Sequence, residues 1–110
     1  GTAYLLAAEA TTSSVHRAAL ASDAAAPTAI TNLYSGRPAR GIVNRLMRER
    51  GPIGAVPPFP LASAALAPLR AKAEAAGRGD FSALWAGQHV RCREATAAAI
   101  TRELAAGLAD

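Results

Sequence analysis

Ser35-Gly36-Arg37-Pro38-Ala39-Arg40-Gly41 is the stretch on which the organisation of this chain turns. In seven residues it combines a turn glycine, a proline and two guanidinium groups, and it joins an apolar run to a basic one. Gly36 can take dihedral angles that other residues avoid, and Pro38 has its φ already set for a first helical turn. The pattern predicts a helix from Pro38 to the stop at Gly51-Pro52, a C-terminal glycine followed by a breaker. Such a helix would put Ile42, Val43, Leu46 and Met47 on one face and Arg40, Arg45 and Arg48 largely elsewhere. Residues 35–50 carry Arg37, Arg40, Arg45, Arg48 and Arg50 against Glu49 alone, so this stretch accounts for the whole net charge of +4.

Upstream, Gly1-Thr2-Ala3-Tyr4-Leu5-Leu6 looks like the end of an apolar strand entering a loop or helical turn. Thr11 to Ser14 offers several N-caps for a helix from about Ser14 to Ala25, which Pro27 ends. Thr28 to Tyr34 is rich in β-branched residues and favours an extended segment. Downstream, residues 52–60 hold four prolines; they cannot sustain a helix, and Ile53, Val56 and Phe59 make them a strap laid over a surface. Leu61 to Ala76 is helical in composition, and Pro68 should kink or divide it. Gly77-Arg78-Gly79 closes that helix, Asp80 is placed to cap a short one through Phe81, Leu84 and Trp85, and Gly87-Gln88 interrupts it. A last helix from about Arg93 to Leu108 aligns Ala97, Ile100, Leu104 and Leu108 on one stripe.

The 110 residues suffice for one compact domain. Much of the 51% hydrophobic fraction is alanine, so the chain buries little large apolar surface by itself and is expected to pack against something else. It opens on Gly1-Thr2 and its one methionine is Met47, which reads as a piece of a longer chain. No stretch has the pattern of a signal peptide or the length of a bilayer span, so no membrane partner is expected. A lone Cys92 gives neither a disulfide framework nor a metal-ligand spacing, and a reducing, cytoplasmic setting follows.

Several residues are candidates for chemistry. Arg37 and Arg40 beside a helix start would suit an anionic oxygen, or else tie this segment to carboxylates or carbonyls of a neighbouring domain. Ser35 and Gly36 belong to the same turn. The nearest aromatics, Tyr34 and Phe59, do not interleave with the arginines, so a nucleic-acid surface is not expected. His16 and His89 have no Ser, Cys or carboxylate at the spacing of a nucleophilic dyad or metal cluster, and read as structural or surface histidines. Cys92 lies between Arg91 and Arg93 without a partner, and Arg78-Gly79-Asp80 reads as a helix boundary, not as an adhesion tripeptide. Trp85-Ala86-Gly87-Gln88 supplies either a pocket wall with an amide beside it or the main core residue of a helical layer.

Taken in order, Gly1-Thr2-Ala3-Tyr4-Leu5, His16-Arg17-Ala18-Ala19-Leu20, Ser35 to Gly41, the proline strap running into Leu61, Ala67-Pro68-Leu69-Arg70 and Leu84-Trp85-Ala86-Gly87-Gln88 resemble the C-terminal part of the nitronate monooxygenases. This is the FMN-dependent family also called 2-nitropropane dioxygenases. The resemblance implies a mainly α-helical fragment: the C-terminal end of an α/β TIM-type barrel plus a helical domain. Residues 1–34 would be the end of the last barrel βα unit and residues 35–110 the helical domain segment. It places FMN phosphate contacts on Gly1 and Thr2, in keeping with the use of the last barrel loops for phosphate. Ser35, Gly36, Arg37, Arg40, Trp85 and Gln88 would line a pocket or dock the two domains.

The family's catalytic histidine and glycine-rich phosphate loop would lie upstream, leaving no catalytic residue and no metal ligand in this chain. The implied reaction converts an alkyl nitronate and dioxygen to a carbonyl compound and nitrite, with the remainder of the barrel as partner. Flavin-dependent enoyl and quinone reductases share the architecture. The alternative from a different class is a free-standing basic helical module that binds a polyanion or a partner protein.

Overall fold

Ser13 opens the first helix: its side-chain oxygen accepts from the amide of His16 at 3.2 Å. The computed structural model of the chain describes residues 1–22, 27–90 and 93–108. Thr2–Leu6 forms a single 3-10 turn, and α1 covers Ser14–Ala21. The helix closes at Ser22, whose backbone is extended, so it is shorter than its composition suggests; the expected continuation over residues 23–25 lies outside the described residues, as does Cys92.

The helix predicted from Pro38 does not form there. Thr28–Thr31 (β1) and Ala39–Ile42 (β2) pair antiparallel, with Thr28 opposite Ile42 and Thr31 opposite Ala39. Gly36 turns the connection at φ +98. The next helix, α2, is only Arg45–Arg50. A proline φ is as compatible with extended backbone as with a helical start, and here a distant segment decides. The Ile42 amide donates to Leu84 O at 2.8 Å and the Ala86 amide to Arg40 O at 3.2 Å, making residues 84–86 a third rung against β2. Gly41 permits the approach, because a Cβ there would stand 3.1 Å from Leu84 O and 3.3 Å from Trp85 Cε3. The same pairing overturns the short helix expected after Asp80: Trp85 is bridged to Gly41, and Asp80 accepts from the Arg78 guanidinium at 2.7 Å instead of capping a helix.

Asn44 replaces Pro38 as the helix opener. Its side-chain oxygen accepts from the Met47 amide at 3.5 Å, and Gly51 ends α2 as anticipated. The strap follows, with Ile53 and Phe59 exposed and Val56 against the core. Helix α3 runs Leu61–Ala75 as one element through Pro68, which does not divide it. Gly77 at φ +74 and the Arg78 amide, bonded to Ala73 O at 2.9 Å, close it. Helix α4 is Ala97–Ala106, capped by Thr96, and so starts later than Arg93.

Two apolar clusters sit on either side of the hairpin. One joins Leu6, Val15, Leu20, Ile42, Leu84 and Ala86; the other joins Leu33, Tyr34 and Met47 with Leu46, Val56, Leu66 and Trp85 around them. Helices α3 and α4 contribute only Ala62 and Ile100 as buried residues. The radius of gyration is 15.0 Å, against about 13 Å for a compact domain of about this length. The chain is thus helix-rich with one small sheet among the described residues; α1 and α2 supply Val15, Leu20 and Met47 to its centre, while α3 and α4 add little.

Candidate functional site

The first residues of the chain close on residues 85–87. The Gly87 amide donates to Thr2 Oγ1 at 2.8 Å, and a Cβ at Gly87 would stand 3.3 Å from that oxygen. Gly1 is exposed, with nothing within 4 Å of where a Cβ would lie. Two residues before Gly87, the Trp85 carbonyl lies 2.9 Å from His16 Nε2. A carbonyl only accepts, so Nε2 carries the proton. Arg17, next to His16, bonds the carbonyls of Ala7, Ala10 and Thr12 at 3.0, 2.7 and 3.2 Å. Helix α1 therefore holds the loop after the 3-10 turn with one side chain and the Trp85 segment with the next. Two further bonds fix the N-terminal segment against α4: Tyr4 Oη lies 2.7 Å from Thr101 Oγ1, and Glu9 accepts from the Ala97 amide at 3.0 Å.

Trp85 also meets Tyr34 edge to face, with ring centroids 5.6 Å apart and planes at 88°, and packs against the second core cluster, as the core alternative expects. The Tyr34 hydroxyl donates to Asn44 Oδ1, and Asn44 Nδ2 donates to Gly79 O and Ser82 O, both at 2.9 Å. Burial pushes the Tyr34 phenol up to about 12, against the smaller opposing effect of its hydrogen bond to Asn44. Tyr34 is accordingly a neutral donor within a buried network.

The arginines of residues 35–50 do not converge. The Arg37 guanidinium stacks 4.1 Å from the centroid of the Phe59 ring on the strap. Arg40 lies across the hairpin with Nη1 3.1 Å from Thr28 Oγ1. Arg45 pairs with Glu49 at 2.9 Å, which raises the guanidinium pKa, chiefly through the hydrogen bond. The basic helix expected from Pro38 is reduced to the six residues of α2, which carry Arg45, Arg48 and Arg50, and the anion site that joined Arg37 to Arg40 at a helix start has no such start to stand on. Ser35 Oγ bonds within its own turn, accepting from the Arg37 amide at 3.2 Å. Gly36 is pressed against the strap, where a Cβ would be 2.6 Å from Phe59 N. Gln88 is exposed just past Gly87. Of the residues singled out in the sequence, the structure thus brings Gly1 and Thr2 to the Trp85–Gln88 segment and holds Ser35, Gly36 and Arg37 apart at the strap.

Asn44, Tyr34 and His16 were not legible as site residues. Asn44 had one local signal, an N-cap residue type directly before Arg45-Leu46-Met47. His16 stood in the family-like His16-Arg17-Ala18-Ala19-Leu20 stretch and read as a structural or surface histidine, but its partner, 69 positions away, was not visible. Among the described residues no group of His, Cys, Asp and Glu is placed to hold a metal ion, and no helix is long and apolar enough to cross a membrane.

A helix-rich segment whose first residues pack on an extended Trp-Ala-Gly stretch has a close structural counterpart. A crystal structure of nitroalkane oxidase from Streptomyces ansochromogenes matches 99% of this chain at TM-score 0.87 and 41% identity, over 31% of its own length. In sequence, a nitronate monooxygenase of Pseudomonas aeruginosa is 39% identical over 107 residues, 94% of this chain and 30% of the relative. A probable nitronate monooxygenase of Bacillus subtilis is 35% identical over 92 residues. The family model of nitronate monooxygenase matches residues 1–107. The chain belongs to the nitronate monooxygenase family, as the ordered motifs suggested, and it spans 30% of the length of the Pseudomonas relative.

Proposed function

We propose that this chain is the C-terminal segment of an FMN-dependent nitronate monooxygenase that converts alkyl nitronates and dioxygen to carbonyl compounds and nitrite in a cytoplasmic setting. Residues 1–34 would end the last βα unit of a TIM-type barrel and residues 35–110 would form a helical domain segment. The hairpin spans that division, since β1 lies before it and β2 after it. The observation that carries the proposal is the meeting of Thr2 with Gly87 in a chain matched over residues 1–107 by this family.

The residues at this end fit a phosphate. Gly1 presents bare, exposed backbone with open space over its Cα, and Thr2 brings a hydroxyl whose rotamer the Gly87 amide fixes. Phosphate oxygens are recognised by just such amide and hydroxyl groups near the start of a helical turn. When bound, FMN supplies the redox chemistry. Gly1 and Thr2 would hold its phosphate, Trp85 and Gln88 would stand beside that end of the site, and none of these residues moves a proton. The carbon-bound proton of a nitroalkane would be taken by a base outside these residues.

The test uses the full-length enzyme that carries this chain. It should hold FMN and release nitrite from a simple alkyl nitronate under air, and Thr2→Val should lower FMN affinity about tenfold, the loss of one hydrogen bond to a charged group. The 110-residue chain alone should leave FMN fluorescence unquenched. Turnover of a quinone or an enoyl substrate without nitrite release would transfer the activity to the reductases of the same architecture. A basic polyanion-binding module is not supported, because the chain matches an enzyme family over residues 1–107 and Arg37, Arg40 and Arg45 face the strap, the hairpin and Glu49.

A further inference from the structure

We infer that the groove between the strap, α2 and α3 is a binding site for a small alkyl carboxylate, its chain on the apolar walls and its head on Arg50. The groove holds about 470 Å³, within the range of about 300–1,000 Å³ usual for small-molecule sites. Leu33, 5% exposed, forms its floor, while Leu46 lines it from α2, Val56 from the strap and Leu66 from α3. The other side chains that the strap and α3 bring to it are short, among them Ala55, Ala62 and Ala65. Alanine at these positions leaves the space between the two walls unfilled.

The strap wall is fixed by polar bonds to the hairpin connection. The fully buried Thr31 hydroxyl donates to Pro52 O at 2.7 Å. Asn32 brackets Gly54, donating to its carbonyl at 2.9 Å and accepting from its amide at 3.0 Å. The strap already lies close on the floor there, since a Cβ at Gly54 would stand 3.2 Å from Leu33 Cδ2. Further along, Gly36 packs on the strap, where a Cβ would be 2.9 Å from Pro57 O. The concavity is thus formed before any ligand enters.

Charge selects the occupant. Among the described residues Arg50 is the one charged residue on the lining, and no carboxylate there offsets it. Arg50 is exposed and makes no ion pair among them. Its neighbour Glu49 is taken by Arg45 at 2.9 Å. A guanidinium fork matches a planar two-oxygen anion, and apolar walls favour a chain by the area they take from water. An alkyl ammonium would meet an uncompensated like charge, and an alcohol would gain the walls without the head. The site is independent of the flavin reading, because none of its residues lies at the Thr2–Gly87 end.

The test is titration calorimetry of the full-length enzyme that carries this chain, with octanoate, octanol and octylammonium. Octanoate should bind saturably at a single site, octanol about tenfold more weakly, and octylammonium not at all. Arg50→Gln should weaken octanoate about tenfold and leave octanol unchanged. Ala65→Leu, at an exposed position of α3 that suits a leucine, should fill the groove and weaken octanoate and octanol alike. Absence of saturable octanoate binding overturns the proposal, and so does binding that either variant leaves unchanged. A groove filled by another stretch of the longer protein would overturn it too: octanoate would not bind, and Ala65→Leu would lower the thermal midpoint of the full-length enzyme.

Discussion

The centre of this chain and its two long helices are built on opposite terms. Around Asn44, a few side chains join segments far apart in sequence. Tyr34 donates to it, it donates to Gly79 and Ser82, and it opens α2. Helices α3 and α4 are longer and more regular, yet each buries a single residue, Ala62 or Ile100. Leu69, Leu104 and Leu108 are exposed at 47%, 53% and 85%. The difference shows where order comes from here: polar groups satisfied at a distance hold the middle, while the periodic elements carry apolar faces that the rest of this chain does not cover.

The sharpest way to break that contrast is at Asn44. Asn44→Ala leaves the Ser82 carbonyl and the buried Tyr34 hydroxyl without their partner, leaves Gly79 O only the Ser82 amide, and removes a helix cap, so a loss of about 4 kcal/mol is expected in chemical denaturation. A loss below about 1 kcal/mol would mean that the network is incidental to stability.

Tyr34 probes the same network through pH. Burial holds its folded pKa at about 12, above the ordinary phenol value of 10.0. The stabilisation is therefore complete below pH 10, where folded and unfolded phenols are both neutral, and is lost as pH rises toward 12 and only the unfolded phenol ionises readily. The expected decline attributable to this residue is about 2.5 kcal/mol. Tyr34→Phe should flatten that part of the stability profile, and an unchanged slope would contradict the burial argument.

Next comes the strap. Gly36→Ala places a Cβ 2.6 Å from Phe59 N at φ +98, whereas at Gly77, φ +74, nothing lies within 4 Å. The first substitution should cost about 2 kcal/mol and the second about 1 kcal/mol, the conformational part alone. Equal costs would show that the strap yields. Smallest of all, Leu104→Ser should change the stability of the 110-residue chain by less than about 0.5 kcal/mol. A loss of about 2 kcal/mol or more from Leu104→Ser in the longer protein would show that this face is covered there.

What could be read from the sequence follows the same division. Helix α3, its glycine closure and the exposed strap carry local signals, and composition was enough to find them. The first strand of the hairpin lies within the extended segment expected over Thr28 to Tyr34, but the second was not legible. Ala39-Arg40-Gly41-Ile42 has little strand propensity, and the preset φ of Pro38 is shared by helix starts and extended chain. The strand exists because Gly41 admits the Leu84–Trp85 backbone, a pairing some 43 residues away that no local pattern encodes. For the same reason the basic helix dissolved into three separate settings for Arg37, Arg40 and Arg45. Thr2 could be placed only through the family resemblance, and its contact with Gly87 emerged only from the fold.

The bonds from Tyr4 to Thr101 and from Glu9 to Ala97 span 97 and 88 positions. On a ribosome, where the chain emerges in order, the opening residues wait for nearly the whole segment before their last partners appear. Contacts of such long sequence separation form late and slowly. The end that carries Gly1 and Thr2 would accordingly be among the last parts to set, and a chain that stops short of α4 would keep the bond from Gly87 to Thr2 but lose those to Thr101 and Ala97.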